Sequence, residues 1–543
     1  MKRREFLQTT VAGGSALTLT GLPSCAKLGE ENAQTSAHTV QPFELDELTI
    51  PGLQEGMQSG KYTAESITEL YLERIEALDK QGPALHAVIE TNPDALEIAK
   101  SLDTERNNDK VRGPLHGIPV LIKDNIDTAD RMTTTAGSYA LEGSIPKQDS
   151  FVAQKLREAG AIILGKANLS EWANFRSTRS SSGWSGRGGQ ARNPYALDRN
   201  PCGSSSGSGI AAAATLCAVA IGTETNGSVV CPSTANGIVG IKPTVGLLSR
   251  SGIIPIAHSQ DTAGPMARTV RDAAILLGAL TGIDARDDAT RQSEGKAHRD
   301  YTQFLDSQGM NGARIGVARN YFGFHEMVDK LVEDAIDVMK QLGATVVDEA
   351  NIETRNKYGD SGFAVLLYEF KTNLNKYLAT LDDSVPVHTL EELIAFNSAN
   401  KEKEMPYFGQ EILKMAQEKG DLDTPEYKEA LAKIHRLSRD EGIDATLKKH
   451  NIDAIIAPTG GPAWLTDWIN GDHYVGGSSS PAARAGYPNI TVPAGFIHGL
   501  PVGISFFSRA WNEPQLIKFA YAFEQATHHR KSPQFLPHVQ MSM

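Results

Sequence analysis

The chain has 543 residues, of which 40% are hydrophobic and 22% are charged, and its formal net charge is −12. These values are typical of a soluble globular protein and argue against nucleic-acid binding, which usually needs a basic surface. The length allows two or three average domains or one large α/β domain.

The N-terminus carries the pattern of an export signal. Arg3 and Arg4 precede an uncharged stretch, Phe6–Ala26, that is rich in Thr, Gly and Ala. This pattern resembles a twin-arginine signal, and we assign residues 1–25 to it. The sequence "LPSC" resembles a lipoprotein cleavage box, which would place a lipid anchor on Cys25. We therefore expect an exported protein, either periplasmic or a membrane-anchored lipoprotein.

The cysteines show no metal-binding or redox spacing. Three of them, Cys202, Cys217 and Cys231, lie beyond the signal, and three cannot all pair within one chain. We expect these three to be free thiols in the core, although an exported protein could oxidise them. The sequence contains no HExxH motif and no Cys/His cluster with metal-ligand spacing, so no metal is expected.

The first half of the chain alternates between helical and strand patterns. Residues 26–44 are polar and are interpreted as a linker, and helical spacing follows at residues 63–79 and 92–106. The short apolar run Ile118–Ile122, bounded by Gly and Pro, predicts a buried strand with Lys123 at its C-terminal end. Alternation up to about residue 290 predicts an α/β fold.

The second half begins with a different composition. Residues 290–450 are charged and helical in period, which predicts a mostly helical insertion that could act as a substrate cap. Strand patterns return at residues 452–459 and 489–496, and a helical pattern closes the chain.

Two loops rich in Ser and Gly lie close together in the sequence, around Ser204 and around Ser228. The intervening helix covers about 16 Å, and the strand that follows returns by about 23 Å. Both loops can therefore lie at one end of the sheet, where Lys123 also ends its strand. Clefts at such strand ends bind ligands in open α/β sheets.

Two serines and one lysine at such a cleft suggest nucleophilic catalysis. A lysine buried among small neutral groups has a lowered pKa and can accept a proton. Ser-Lys pairs are a known variant of the Ser-His-Asp arrangement. For any single Ser/Gly loop, the alternative is an ordinary turn beside a buried helix.

Several further motifs, taken in order, resemble the amidase signature hydrolases. They are "GIPVLIKDN" (117–125), "PCGSSSGSGIAAAA" (201–214), "GTETNGSVVCPSTANGIVGIKPTVG" (222–246), "SQDTAGPMARTVRDAA" (259–274) and "GYPNITVPAGF…GLPVGISF" (486–506). The resemblance assigns residues 45–537 to one domain of this family. It implies a large mixed, twisted sheet covered by helices on both faces, with the helical region inserted.

The resemblance also implies roles at matching positions. Ser228 would be the acylated nucleophile, Ser204 the bridging serine after a cis peptide bond at Gly203, and Lys123 the general base. Backbone N–H groups would form the oxyanion hole, and two side chains, Ser205 and Asp261, would support the site. The oxyanion-hole residues implied are Thr225, Asn226, Gly227 and Ser228. No metal or organic cofactor is implied.

Three positions depart from the pattern that many members share. Cys202 and Asn226 each replace the first glycine of a Gly-Gly pair, and Val230 replaces an arginine. These departures argue against the glutamine-amidating subunit of the tRNA-dependent amidotransferase and favour the peptide amidases and related broad amidases.

Four alternatives complete the interpretation. A general aliphatic or aryl amidase would keep the same chemistry, and a non-catalytic exported amide-binding protein would bind without turnover. The segment Gly203–Gly207 also matches a nucleophile elbow, but no strand pattern precedes it. A phosphate-binding loop would need a following Lys-Ser/Thr, which is missing.

The substrate is expected to be a small-molecule or peptide amide, and the sequence predicts no oligomeric state.

Overall fold

The computed structural model describes residues 40–540. The export signal, residues 1–25 with Cys25, lies outside the described residues, as do residues 26–39 of the linker. Within the described part of the chain, no helix is both long and apolar enough to cross a membrane.

The helices are α1 Ile50–Gln58, α2 Ala64–Ile75, α3 Ala95–Asn107, α4 Phe151–Glu158, α5 Ser206–Ala213, α6 Val230–Ala235, α7 Val270–Leu280, α8 Glu326–Gln341, α9 Gly359–Leu378, α10 Leu390–Ala399, α11 Lys401–Glu404, α12 Glu411–Gln417, α13 Pro425–Ser438, α14 Asp444–His450, α15 Ser479–Ala485 and α16 Glu513–Thr527. The strands are β1 Val88–Thr91, β2 Pro119–Lys123, β3 Ile162–Ala167, β4 Trp184–Ser185, β5 Gly189–Gln190, β6 Val219–Glu224, β7 Val239–Lys242, β8 Thr262–Ala267, β9 Arg314–Val317, β10 Thr345–Val347, β11 Ala454–Pro458, β12 Asn489–Ile497 and β13 Leu500–Phe507.

Eleven strands form one mixed sheet in the order β1-β3-β2-β6-β8-β7-β12-β13-β11-β9-β10. Strand β2 is parallel to both β3 and β6, whereas β6 pairs with β8 in the antiparallel sense. Because β2 and β6 are adjacent and parallel, their C-terminal residues Lys123 and Glu224 end at the same edge of the sheet. This topology brings the lysine beside the loop that follows β6.

Helices cover the sheet on both faces, as the family resemblance implies. Helices α5 and α6 contact each other and the central strands, while α7 and α16 form a separate packed pair on the sheet. The five residues of β2 and the six of β6 are all buried, which explains their continuous apolar runs.

The helical region 290–450 is part of the same compact unit as the sheet. Its helices α9, α10 and α12 share a hydrophobic cluster with Trp172, Phe175, Ile254 and Ile256 from the sheet's loops. Residues 290–450 contain helices α8 to α14 together with β9 and β10, which extend the sheet. These strands have four and three residues, too few to show a period in the sequence.

The prediction of free thiols is wrong for two of the cysteines. Cys202 and Cys231 form a disulfide with a Cα–Cα distance of 5.9 Å, and Cys217 remains a buried free thiol. The odd number of cysteines left one thiol over but did not prevent the other two from pairing. Their 29-residue separation is closed by the return of β6 beside α5.

Candidate active site

Lys123 is fully buried at the end of β2 and makes three polar contacts through Nζ. Nζ lies 2.8 Å from Ser204 Oγ, 2.9 Å from Thr223 Oγ1 and 3.3 Å from the Thr223 carbonyl oxygen. Asn125 Nδ2 also donates to Thr223 Oγ1, at 3.0 Å. The lysine and the bridging serine predicted from the sequence are therefore in direct contact.

Burial lowers the pKa of Lys123 from 10.5 to about 7. The negative charges of Asp261 and Glu224 act in the opposite direction, but neither forms an ion pair with Nζ, so desolvation dominates. At neutral pH a substantial fraction of this lysine is a neutral amine, which has a lone pair available to accept a proton.

Ser204 and Ser205 lie immediately before α5. The Gly203–Ser204 peptide bond is cis, and the Ser204 carbonyl accepts a hydrogen bond from Ser170 N at 3.0 Å. Ser205 Oγ donates to the Thr223 carbonyl and accepts from Thr223 N, both at 3.1 Å. Ser205 thus fastens the serine loop to the end of β6.

Ser228 lies across from these serines in the loop between β6 and α6. Its carbonyl accepts a hydrogen bond from Ser205 N at 3.2 Å, which joins the two loops directly. Its side chain is half-buried, and its hydroxyl has no hydrogen-bond partner within residues 40–540. Ser228 is therefore the accessible hydroxyl of the group, whereas Ser204 is buried.

The four backbone N–H groups predicted to form an oxyanion hole differ in whether they have a hydrogen-bond acceptor. Those of Thr225, Asn226 and Ser228 have no acceptor in the described part of the chain. The N–H of Gly227 instead donates to Glu224 Oε1 at 2.8 Å. Three free donors remain beside the Ser228 hydroxyl.

Glu224 orders the loop that carries Ser228, and this role was not predicted from the sequence. This buried carboxylate accepts hydrogen bonds from three backbone N–H groups, at Gly227, Val229 and Val230, over 2.8 to 3.1 Å. It fixes the curvature of the Ser228 loop, which also requires a φ of 87° at Gly227. The acidic residue between two threonines in "TETNGS" was the available signal.

Asp261 supports the same loop from the other side, as expected for a hydrogen-bonding residue. Its carboxylate accepts from Thr225 Oγ1 at 2.6 Å and from the backbone N–H groups of Ile256 and Ala257. Burial raises its pKa to about 6. Its contacts hold Thr225 in place and involve neither serine.

A cavity of about 310 Å³ is lined by Thr223, a hydrogen-bond partner of Lys123, but not by Lys123, Ser204 or Ser228. Thr225 and Asp261 also line it, and α9 contributes three further side chains. Those from α9 are Asn373, Lys376 and Tyr377. The helical region therefore shapes the space beside the site.

Four aromatic residues form two ring pairs, Tyr407 with Trp468 and Trp464 with Tyr474, which we call the aromatic wall. Trp464 packs against Cys202 and Cys231, and Trp468 stacks on Tyr407 with ring centroids 4.5 Å apart. Asp472 anchors the loop that carries three of these rings, since it accepts hydrogen bonds from the Ser182 backbone and from Trp464 Nε1. Tyr407, Trp468 and Tyr474 remain more than 40% exposed.

The described residues contain no group of three or more His, Cys, Asp or Glu side chains that could hold a metal ion. His116, next to β2, is buried and contacts the Leu102 carbonyl through Nε2. It packs below the strand and does not reach the serines.

Comparison with known proteins places this arrangement in a family. Residues 66–517 match the family described as Amidase. The native peptide amidase from Stenotrophomonas maltophilia is 50% identical, with a TM-score of 0.87 over 91% of this chain and 100% of that chain. A probable amidase from Arabidopsis thaliana is 44% identical over 91% of this chain and 93% of the relative. One subunit of the glutamyl-tRNA(Gln) amidotransferase from Gloeothece citriformis is 36% identical over 86% of this chain and 96% of the relative.

Proposed function

Because this chain belongs to the amidase family and is a hydrolase of amides, we propose that it cleaves them through a covalent acyl-enzyme on Ser228. Lys123 is the general base, and Ser204 carries the proton between Lys123 and Ser228. The observation that carries this proposal is the 2.8 Å contact between the buried amine, whose pKa is about 7, and Ser204 Oγ.

The contacts of Lys123 suit a neutral amine. A neutral amine has two N–H donors and one lone pair, and Thr223 offers two acceptors, its carbonyl and its hydroxyl. With both N–H groups directed to Thr223, the lone pair is left for the Ser204 hydroxyl proton. Ser204 can then accept the proton of Ser228 as Ser228 attacks the amide carbonyl.

The same groups serve both halves of the reaction. The tetrahedral oxyanion is stabilised by the free N–H groups of Thr225, Asn226 and Ser228. As the C–N bond breaks, the proton held by Lys123 returns through Ser204 to the leaving nitrogen. A water molecule then attacks the acyl-enzyme and passes its proton through Ser204 to Lys123. As the bond between Ser228 Oγ and the acyl carbon breaks, this proton returns through Ser204 to Ser228 Oγ, and the carboxylic acid leaves.

The proposed substrates are peptides with a C-terminal amide, which would release ammonia and a peptide acid. The similarity to a peptide amidase supports this assignment. The exposed aromatic wall also supports it, because aromatic side chains bind extended peptides and their apolar groups. Val230, in place of an arginine, leaves no cation there to select a charged amino acid.

Ammonia release from a C-terminally amidated dipeptide tests this proposal, using a chain that begins at Ala26 and parallel assays with acetamide and an anilide. Release that is fastest from the peptide amide is the expected result. Activity confined to acetamide or to the anilide would contradict the peptide assignment. Binding of all three without turnover would contradict catalysis.

We also propose that the chain works outside the cytoplasm, with a lipid on Cys25 as the anchor. The disulfide between Cys202 and Cys231 supports an oxidising compartment, where such bonds persist. Replacing Arg3 and Arg4 with lysines is expected to leave the chain in the cytoplasmic fraction. Unchanged fractionation of that variant would contradict twin-arginine export, and an unmodified Cys25 in the mature protein would contradict the anchor.

A further inference from the structure

The Cys202–Cys231 disulfide joins the two loops that carry the serines. Cys202 stands two residues before Ser204. Cys231 stands three residues after Ser228, close to one helical turn, and its N–H donates to the Gly227 carbonyl at 2.7 Å. The cross-link therefore connects the segment that leads to Ser204 with the helix that follows Ser228.

The backbone at Cys202 is held in a conformation that this residue type disfavours. Its φ is 58°, in the left-handed region where a β-carbon crowds the following carbonyl. Asn200 Oδ1 accepts a hydrogen bond from Cys202 N at 2.9 Å, and the Cys202 carbonyl accepts one from Ser206 Oγ at 2.6 Å. These two bonds and the disulfide oppose relaxation of the segment that leads to Ser204.

Non-covalent ties between the two loops are few. The hydrogen bond from Ser205 N to the Ser228 carbonyl is 3.2 Å long, and one from Asn236 Nδ2 to the Pro201 carbonyl is 3.0 Å. Within residues 40–540, no hydrogen bond joins the hydroxyls of Ser204 and Ser228. Their separation therefore depends on how the loops are fixed. The disulfide is nearly buried beneath Trp464, so it acts as a permanent part of this framework.

We propose that Cys202 and Cys231 are positioning residues for the hydrolysis, because their disulfide sets the distance over which the proton passes between Ser228 and Ser204. The inference rests on the proposed function. The disulfide touches no reacting atom, and its effect falls on the rate of the chemical step. Small displacements of reacting groups can cost about 100-fold in rate.

Three variants distinguish the effect of losing the disulfide from the effects of the backbone conformation at Cys202 and of losing a buried thiol. Cys202→Ala/Cys231→Ala removes the disulfide and leaves a β-carbon at a φ of 58°, so we expect kcat to fall by about 10- to 100-fold with KM within about twofold. Cys202→Gly/Cys231→Ala also lacks the disulfide, but glycine adopts this φ freely, and we expect it to recover part of the loss. Cys217→Ala removes a buried thiol far from the site and is expected to keep the wild-type kcat.

The decisive readout is the rate at which a fluorophosphonate labels Ser228, measured by intact mass on protein shown to be folded by circular dichroism. This reagent needs no knowledge of the natural substrate. An unlabelled wild-type chain would contradict the proposed function itself. The positioning role would be overturned if the wild type is labelled and a folded disulfide-free variant is labelled at the same rate. This applies to Cys202→Gly/Cys231→Ala and to Cys202→Ala/Cys231→Ala. A rise in KM with unchanged kcat would also overturn it.

Discussion

At the scale of single residues, the site depends on an amine that is buried without an ion-pair partner. Among residues 40–540, Lys123 has only neutral groups within hydrogen-bond distance, namely Ser204 and the two oxygens of Thr223. Desolvation therefore lowers its pKa to about 7 without a compensating carboxylate contact. This combination makes a lysine useful as a base near neutral pH.

The pH dependence of kcat/KM follows from this pKa. A base must be deprotonated to act, so kcat/KM is expected to rise about tenfold per pH unit below about pH 7 and to level off above it. Lys123→Arg keeps a cation at all accessible pH values and is expected to lose at least about 10³-fold in kcat. A profile that stays flat through pH 7 would contradict Lys123 as the base.

Glu224 offers a second test at this scale. Glu224→Gln keeps the size of the side chain but replaces an acceptor oxygen by an NH₂ group that faces backbone donors. We expect kcat to fall by about 10- to 100-fold because the N–H groups of the loop lose their alignment. Glu513→Gln is the matched control, since Glu513, in α16, is a buried glutamate that accepts a hydrogen bond from Thr244 N. Equal losses of kcat in both variants would show that Glu224 contributes only to the general stability of the fold.

At the scale of elements, helix α9 is hydrogen-bonded to the segment that follows β2. Tyr377 Oη on α9 donates to Asp127 Oδ1 at 2.9 Å, and Asp127 lies four residues after Lys123. Burial raises the pKa of Asp127 to about 7, although Lys166 acts in the opposite direction. The native protein thus holds a proton on Asp127 at pH values where the unfolded chain has lost it.

This coupling predicts a pH-dependent gain from Asp127→Asn. The native pKa is raised, so the contribution of Asp127 to the free energy of unfolding falls as pH rises from about 4 to about 7. Asparagine keeps the acceptor for Tyr377 and removes the titration. The Tm of the variant relative to wild type is expected to increase between pH 5 and pH 8, as measured by calorimetry. A Tm difference that does not change with pH would contradict the raised pKa.

The aromatic wall joins two distant parts of the chain and gives a prediction for substrate length. Trp468→Ala removes the ring that stacks on Tyr407, so KM for an amidated tetrapeptide is expected to rise about 3- to 10-fold. Neither kcat nor the KM for acetamide is expected to change. Ile283→Ala, at another exposed apolar residue, is the control. An equal rise in KM for acetamide would show that the wall does not act on the peptide chain.

The elements that carry the site could be predicted because their sequences are locally unambiguous. A continuous apolar run bounded by Gly and Pro predicted β2. The lengths of the helix and strand that lie between Ser204 and Ser228 predicted that both serine loops lie at one end of the sheet, with Lys123. The disulfide could not be predicted in this way, because pairing depends on distances across loops and not on the count of cysteines. The hydrogen bond from the Gly227 N–H to Glu224 likewise depends on loop curvature, which leaves no periodic pattern in the sequence.

At the scale of the whole molecule, one compact unit contains both the sheet and the helical region. The family resemblance predicted this arrangement and the large mixed sheet, since its motifs extend along most of the chain. The charge and helical period of residues 290–450 predicted a mostly helical segment that could act as a substrate cap, but not which residues make its contribution to the cavity wall. That contribution comes from Asn373, Lys376 and Tyr377, whose spacing is that of any amphipathic helix.

The central claim is that hydrolysis proceeds through an acyl group on Ser228, and trapping that intermediate tests it most directly. Wild-type protein mixed with a slowly hydrolysed amide and quenched in acid is expected to gain the mass of the acyl group. Peptide mapping is expected to place this group on Ser228, and Ser228→Ala is expected to stay folded without gaining it. An acyl group mapped to Ser204, or undiminished turnover by Ser228→Ala, would contradict the account.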